Sequence, residues 1–334
     1  MATRLTVYNR QGQYLAELDA IAKRTWLLSK VGSASFSIST SDPKCRPDYL
    51  QYGNLVLIEH DHLPDWGGVI CTPRTWGNFQ IEINCKSADW LFSWRRGKDG
   101  QKFKGSAGNN YKSLIDFANT PEDLYLRVGE LYTGGQSIPV QLSYADQLTT
   151  TIDALVKDSG GEYKVEPKFD NNRQLYFAAG WYEKVGVKRQ TRLEEGLNIE
   201  FVSDMLTEQG EIINDFRAMK DKSNFTVTDD VSQGSYGLRQ KTETITLNAG
   251  KDDSLQQAAF NRMKRTRYPT KTFNFVVLNE GTIWDDIDIG NEHPAKLLTT
   301  GFSANGFGMD TTVRVTGMTY DGMSTVEVVS EEVV

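Results

Sequence analysis

Leu5-Thr6-Val7-Tyr8-Asn9-Arg10-Gln11-Gly12, at the start of the chain, couples a β-prone run to a turn. Leu5–Tyr8 is a short β-prone run, Asn9–Gly12 is turn chemistry, and Tyr14–Glu17 supplies a second strand, so the chain opens as a hairpin. The same grammar recurs over the first hundred residues. Phe36–Ile38, Leu55–Glu59, Gly68–Cys71 and Phe79–Cys85 are further β-prone runs, with corners at Gly53-Asn54 and Gly77-Asn78. Short antiparallel strands in this number are best satisfied by a barrel or curled sheet.

Near Asn109 the periodicity changes. Tyr111, Leu114, Ile115 and Ala118 stand at helical spacing, as do Leu148, Ile152, Leu155 and Val156. Gly160-Gly161 stops the second helix, and a hairpin around Asp170-Asn171-Asn172 follows, making a mixed α/β unit. Strand character returns at Leu197–Val202 and Asn214–Lys220, whereas the polar run Asp221–Ser235 reads as an exposed loop or hairpin tip. A helix is expected over 253–267, capped by Asp252 or Asp253, charged positively at its end and stopped by Pro269. Thr272–Leu278, Lys296–Phe302, Thr311–Tyr320 and Thr325–Val329 are strands, with Gly306-Phe307-Gly308 as a hairpin loop. The expected fold class is mainly β with an α+β insert. Two small β-barrel domains, 1–105 and 197–334, flank a mixed α/β domain at 106–196; the third domain includes helix 253–267 and has room for a second small α/β part.

Composition narrows the function classes. The chain has 334 residues, 37 basic against 44 acidic, and its 39% hydrophobic and 24% charged content is that of a folded protein rather than a disordered one. No stretch approaches the roughly 20 apolar residues of a membrane span, and the start lacks an apolar signal core, so the product is expected to stay soluble where it is made. Cys45, Cys71 and Cys85 are odd in number without CxxC spacing, which writes neither a disulfide framework nor a zinc knuckle. The acidic excess opposes nonspecific duplex binding and suits a surface that must not retain DNA.

Motifs that could carry chemistry are sparse. His60-Asp61-His62, with Asp65 nearby, could place two imidazoles on one strand face as a metal site requires, but no third ligand is specified and solvated turn histidines explain the pattern. GxSxG, Walker, HExxH and GxGxxG-helix motifs are all missing. The pairs Glu194-Glu195, Asp229-Asp230, Asp252-Asp253 and Asp285-Asp286 read as turn or cap material rather than a glycosidase acid and nucleophile, because adjacent strand residues face opposite sides. Trp90-Leu91-Phe92-Ser93-Trp94-Arg95-Arg96 and Arg262–Arg267 are basic and partly aromatic. Trp90 and Trp94 fit one face of a short helix, and aromatic anchors of a protein interface explain them better than base-stacking platforms. Neither enzyme activity nor a cofactor is expected.

Several of these stretches together resemble the tail hub, or baseplate hub, proteins of tailed bacteriophages, which also form the N-terminal part of tail-associated lysins. The opening Leu5–Gly12, then Glu17-Leu18-Asp19-Ala20, Arg24-Thr25-Trp26 and Val31–Ile38 look like their first strands. Trp66-Gly67-Gly68-Val69-Ile70 is similar to their Trp-x-Gly-x-Ile strand, and Trp90–Arg96 to the short helix ending in Arg-Arg. Leu148–Gly161 looks like the helix of the inserted domain, Leu255–Tyr268 like the helix before the second barrel, and Val313–Tyr320 like its closing Arg-Val-x-Gly strand. Asp286-Ile287-Asp288-Ile289-Gly290 departs from the Gly-Asp start common in the last barrel.

The resemblance implies a homotrimer whose two barrels per subunit make a pseudo-sixfold ring. That ring adapts the sixfold tail tube to a threefold tip, with a central channel for tape measure protein and DNA ejection. Implied partners are the distal tail protein or tail tube ring, the tape measure protein and a central fibre or spike, with DNA only in passage and no stable membrane association. The implied location is the virion tail tip, assembled in the host cytoplasm. Trp26, Trp66, Gly68, Trp90, Trp94, Arg95, Arg96 and Arg314 are the implied motif or interface residues. A lumen with excess negative charge is expected, and any lytic domain is expected on another chain, since this one stops at Val334. The alternative is a receptor- or carbohydrate-binding tail module, whose exposed aromatics would stack on sugars.

Overall fold

A computed structural model describes residues 3–135, 137–220, 223–245, 252–278, 283–297, 309–322 and 324–333. The first seven strands are β1 Thr3–Tyr8, β2 Tyr14–Leu18, β3 Ala22–Leu27, β4 Lys30–Ser39, β5 Leu55–His60, β6 Trp66–Trp76 and β7 Gln80–Ser87. They pair in the order β3-β4-β7-β6-β5-β1-β2, all antiparallel. Strand β4 shows why this segment is a strand: Gly32, Ala34, Phe36 and Ile38 point inward, while Ser33, Ser35, Ser37 and Ser39 alternate outward or to the margin. The inner face closes on Leu5, Val7, Phe36, Ile58, Trp66 and Ile83.

A 3-10 helix, Ala88–Trp94, leads into the insert, made of β8 Lys102–Phe103, α1 Ala107–Asn119, β9 Leu126–Leu131, β10 Val140–Gln141, α2 Leu148–Ser159, β11 Glu162–Phe169 and β12 Leu175–Tyr182. Tyr111, Leu114, Ile115 and Ala118 form the buried stripe of α1, and α2 ends at Gly160, whose φ of 75° is the left-handed stop that glycine supplies. The three-stranded sheet β11-β12-β9 combines an antiparallel and a parallel pair. The insert core also takes up Tyr8, Leu55, Leu57 and Val69 from the outer face of the first sheet, and Leu91 and Phe92 of the 3-10 helix. That short helix is therefore a link into the insert, and its apolar side chains are spent there.

The remaining chain comprises β13 Leu193–Glu194, β14 Ile199–Gln209, β15 Asp215–Lys220, β16 Ser223–Thr228, α3 Asp230–Tyr236, β17 Gln240–Thr244, α4 Asp252–Thr266, β18 Thr270–Val277, α5 Ile283–Asp286, β19 Glu292–Leu297, β20 Met309–Tyr320 and β21 Val326–Glu332. Pairing runs β14-β18-β21-β20-β19-β13 over a core that includes Phe273, Phe275, Trp284, Val313 and Val328. Of the run 221–235, expected as an exposed loop or hairpin tip, the described residues 223–235 are largely regular and the chain does turn back between β15 and β16. β16 joins the sheet β16-β15-β17, and Asp229 caps α3 by accepting the Ser232 amide at 2.8 Å. This unit packs on α4 through Phe216, Ala218, Leu255, Ala259 and Met263. The strand expected beyond Leu297, the loop at Gly306–Gly308 and the side chains of Asp252 and Asp253 lie outside the described residues.

Candidate functional site

Strand β20 holds the two halves together. Its first part pairs with β19, and Gly317–Tyr320 pair with Arg24–Leu27 of β3, so thirteen strands drawn from both halves form one sheet. Trp26 sits on this seam and packs against the cores of both halves. Trp66 is 1% exposed in the first core and its indole N–H donates to the Thr25 carbonyl at 3.2 Å. Its ring folds over Gly68, where an added Cβ would meet the Lys86 carbonyl at 2.2 Å and the ring itself at 2.4 Å. The Trp-x-Gly pattern is thus a packing unit in this protomer.

Charged clamps fix the joints between insert and halves. Arg314 on β20 forks onto Glu162 of β11 through two bonds of 2.6 Å, and also donates to the carbonyls of Gly290 and Val185. Such a bidentate pair sets orientation as well as distance. Lys164 bonds Asp288 at 2.7 Å and Glu166 at 3.2 Å. Lys184 pairs with Glu292. Arg95 donates to the carbonyls of Ala118 and Glu122, taking up acceptors at the end of α1. Arg96 lies over the Tyr144 ring, and Trp90 and Trp94 pack edge to face at 5.6 Å.

A cavity of about 190 Å³ lies where the three parts meet, lined in part by Trp26, Asp65, Asp89, Tyr163, Lys164 and Asp288. It is smaller than the roughly 300–1,000 Å³ usual for small-molecule sites. Asp89 accepts a hydrogen bond from Ser87, yet burial pushes its carboxyl up to about 7. Glu194 pairs with Lys296, Asp229 with Arg267, Asp285 with His62, and Asp286 with Thr191 and Arg189. These carboxylates are engaged with their own fold. His60 ends β5 and turns inward, its Nδ1 accepting the His62 amide at 3.1 Å, while His62 faces Asp285. Among the described residues no three metal-ligating side chains converge.

Sequence reasoning did not single out the most exposed aromatic feature. The tip of the β6–β7 hairpin carries Trp76 at 63% and Phe79 at 82% exposure, flanking Gly77-Asn78. Arg74 stiffens its base, with the guanidinium 4.5 Å from the Tyr52 ring and 5.6 Å from that of Trp76. A Trp-Gly-Asn-Phe corner was the available signal.

No protein-family model and no curated protein matches the sequence. Solved structures do match. The 43 kDa tail protein of prophage MuSo2 from Shewanella oneidensis superposes with a TM-score of 0.63 at 11% identity, covering 98% of both chains. The fold is that of phage tail proteins. The tail protein from Neisseria meningitidis MC58 gives 0.61 at 13% identity over 99% of this chain and 96% of its own. The E. coli c3393 protein, a type VI secretion component described as structurally similar to phage tail proteins, gives 0.54 at 11% identity over 95% and 74%. With 95–99% of the chain covered, the match takes in the first sheet, the insert and the second half alike.

Proposed function

We propose that this chain is a structural hub of a phage tail tip, without enzymatic activity. The observation that carries the reading is the end-to-end match to tail proteins, with 98% of each chain covered in one case. Two halves with separate cores, locked through β3 and β20, suit a protomer that supplies two similar positions to a ring. In this reading three copies close a pseudo-sixfold ring between the distal tail protein or tube ring and a threefold fibre or spike. Tape measure protein and DNA pass through its channel, whose lumen carries excess negative charge. Closed rings of identical chains need one surface of each copy to enter a different surface of the next. The Trp76–Phe79 hairpin is assigned to that contact, since it projects from the core and is braced at its base.

Light scattering on the purified chain tests the proposal. A trimer is expected. A stable monomer that binds glycans through Trp76 would overturn it in favour of a receptor-binding module, for which exposed aromatics are equally suited.

A further inference from the structure

The seam between the halves contains a cation with no acceptor. Arg24 is 0% exposed, and its Nε, Nη1 and Nη2 atoms have no hydrogen-bond partner within the chain. Its guanidinium carbon lies 4.8 Å from the Tyr320 ring and 5.2 Å from that of Trp26, so aromatic faces take up part of its charge. They leave its in-plane N–H groups without acceptors. Two neighbours repeat the deficit: Trp26 Nε1 and His60 Nε2 are also buried and unpartnered. The His60 ring stands 5.3 Å from that of Tyr320, on the same cluster. Because His60 Nδ1 accepts the His62 amide, the neutral ring carries its proton on Nε2. All five unpartnered atoms are therefore donors.

A buried guanidinium without an acceptor, with two further buried and unpartnered donors on neighbouring residues, selects an acceptor that is itself negative. Among the described residues no carboxylate lies within ion-pair distance of Arg24; Asp65 acts on it only from farther off. Leaving a guanidinium dry and uncompensated is costly, and a water would satisfy N–H groups without neutralising the charge. Complete burial favours a small ion over a phosphate or a carboxylic acid. We infer that the Arg24 cluster binds a monatomic halide, chloride in the cell, which neutralises the seam between the two halves. The inference stands whatever the assembly state, because every residue in it belongs to one protomer.

The test replaces gluconate with chloride at constant ionic strength while the melting temperature of the full chain is followed. A saturable rise of a few degrees is expected for the native protein. In Arg24→Met the rise is expected to vanish. Crystals grown in bromide read the site directly and do not depend on whether that variant folds: an anomalous peak is expected within hydrogen-bond range of the Arg24 guanidinium. Water alone at that position, a melting temperature that follows ionic strength whichever anion supplies it, or a chloride response retained by Arg24→Met would each overturn the inference.

Discussion

Replacing Asp89 by asparagine is expected to change the pH dependence of stability while leaving the fold intact. Asp89 is 6% exposed at the entrance to the insert, and burial raises its carboxyl from 3.8 to about 7. Between these values the folded chain keeps a proton that the unfolded chain has released. Stability from this group therefore falls as pH rises from about 4 to about 7 and is flat above, where both states are ionised. At roughly 1.36 kcal/mol per pH unit the full loss is on the order of 4 kcal/mol, an upper bound because relaxation and water entry reduce it. Asparagine keeps an acceptor for Ser87 and cannot ionise. Urea unfolding at pH 4.5 and pH 8, followed by tryptophan emission, should show the variant gaining a few kcal/mol on the native chain at pH 8 and little at pH 4.5. An equal difference at both values would refute the assignment of a protonated Asp89.

Gly68→Ala should cost at least about 3 kcal/mol, because the Lys86 carbonyl that the new methyl meets belongs to the paired strand β7 and cannot withdraw without breaking the ladder. A urea midpoint close to that of the native chain would contradict the packing described for Trp66. Glu162→Gln leaves Arg314 without its counter-charge at a site where both side chains are about 15% exposed, and a loss of roughly 3 kcal/mol is expected; adding Arg314→Met should recover part of it. Trp76→Ser combined with Phe79→Ser should shift stability by less than about 0.5 kcal/mol, since both side chains are mostly exposed. On the proposed reading the same double variant should appear as a folded monomer by light scattering; a trimer of undiminished affinity would remove the hairpin from the subunit contact.

Much of the architecture was legible because it rests on periodicity. The β-prone run Phe36–Ile38, the turn at Asn9–Gly12 and the helical stripes of α1 and α2 are local patterns with a single economical burial solution. The helix expected over 253–267 is α4, at 252–266. Helix α3 escaped because Asp230–Tyr236 buries only Ser232 and contains a glycine, so its one signal was the Asp229 cap. The joints were illegible for a different reason. Glu162 and Arg314 are 152 residues apart, and nothing near either residue marks the other. Asp89 in Ala-Asp-Trp looks like an ordinary acidic residue in a first turn, and only the tertiary burial of its carboxyl distinguishes it. Arg24 lies in a polar-looking strand, Lys23-Arg24-Thr25, where strand pairing with Tyr320 decides which basic residue turns inward.

An identity of only 11–13% over nearly entire chains follows from the same physics. A fold specified by period-two burial and short turns accepts many apolar residues at each inward position, provided volume and alternation are kept. Among the described residues no metal cluster and no uncommitted carboxylate pair constrains identities further. The joints of this chain carry a set of charged clamps, Arg314–Glu162, Lys164–Asp288 and Lys184–Glu292, all placed between the insert and the second half. Apolar burial alone would hold those parts together but would tolerate sliding, because it has no direction. Bidentate and paired ions penalise rotation, and the shared strand β20 penalises separation. A threefold ring closes only if each protomer subtends a fixed angle, since any error is repeated at every contact. On the proposed reading, the clamps serve the assembly by making that angle a property of the single chain.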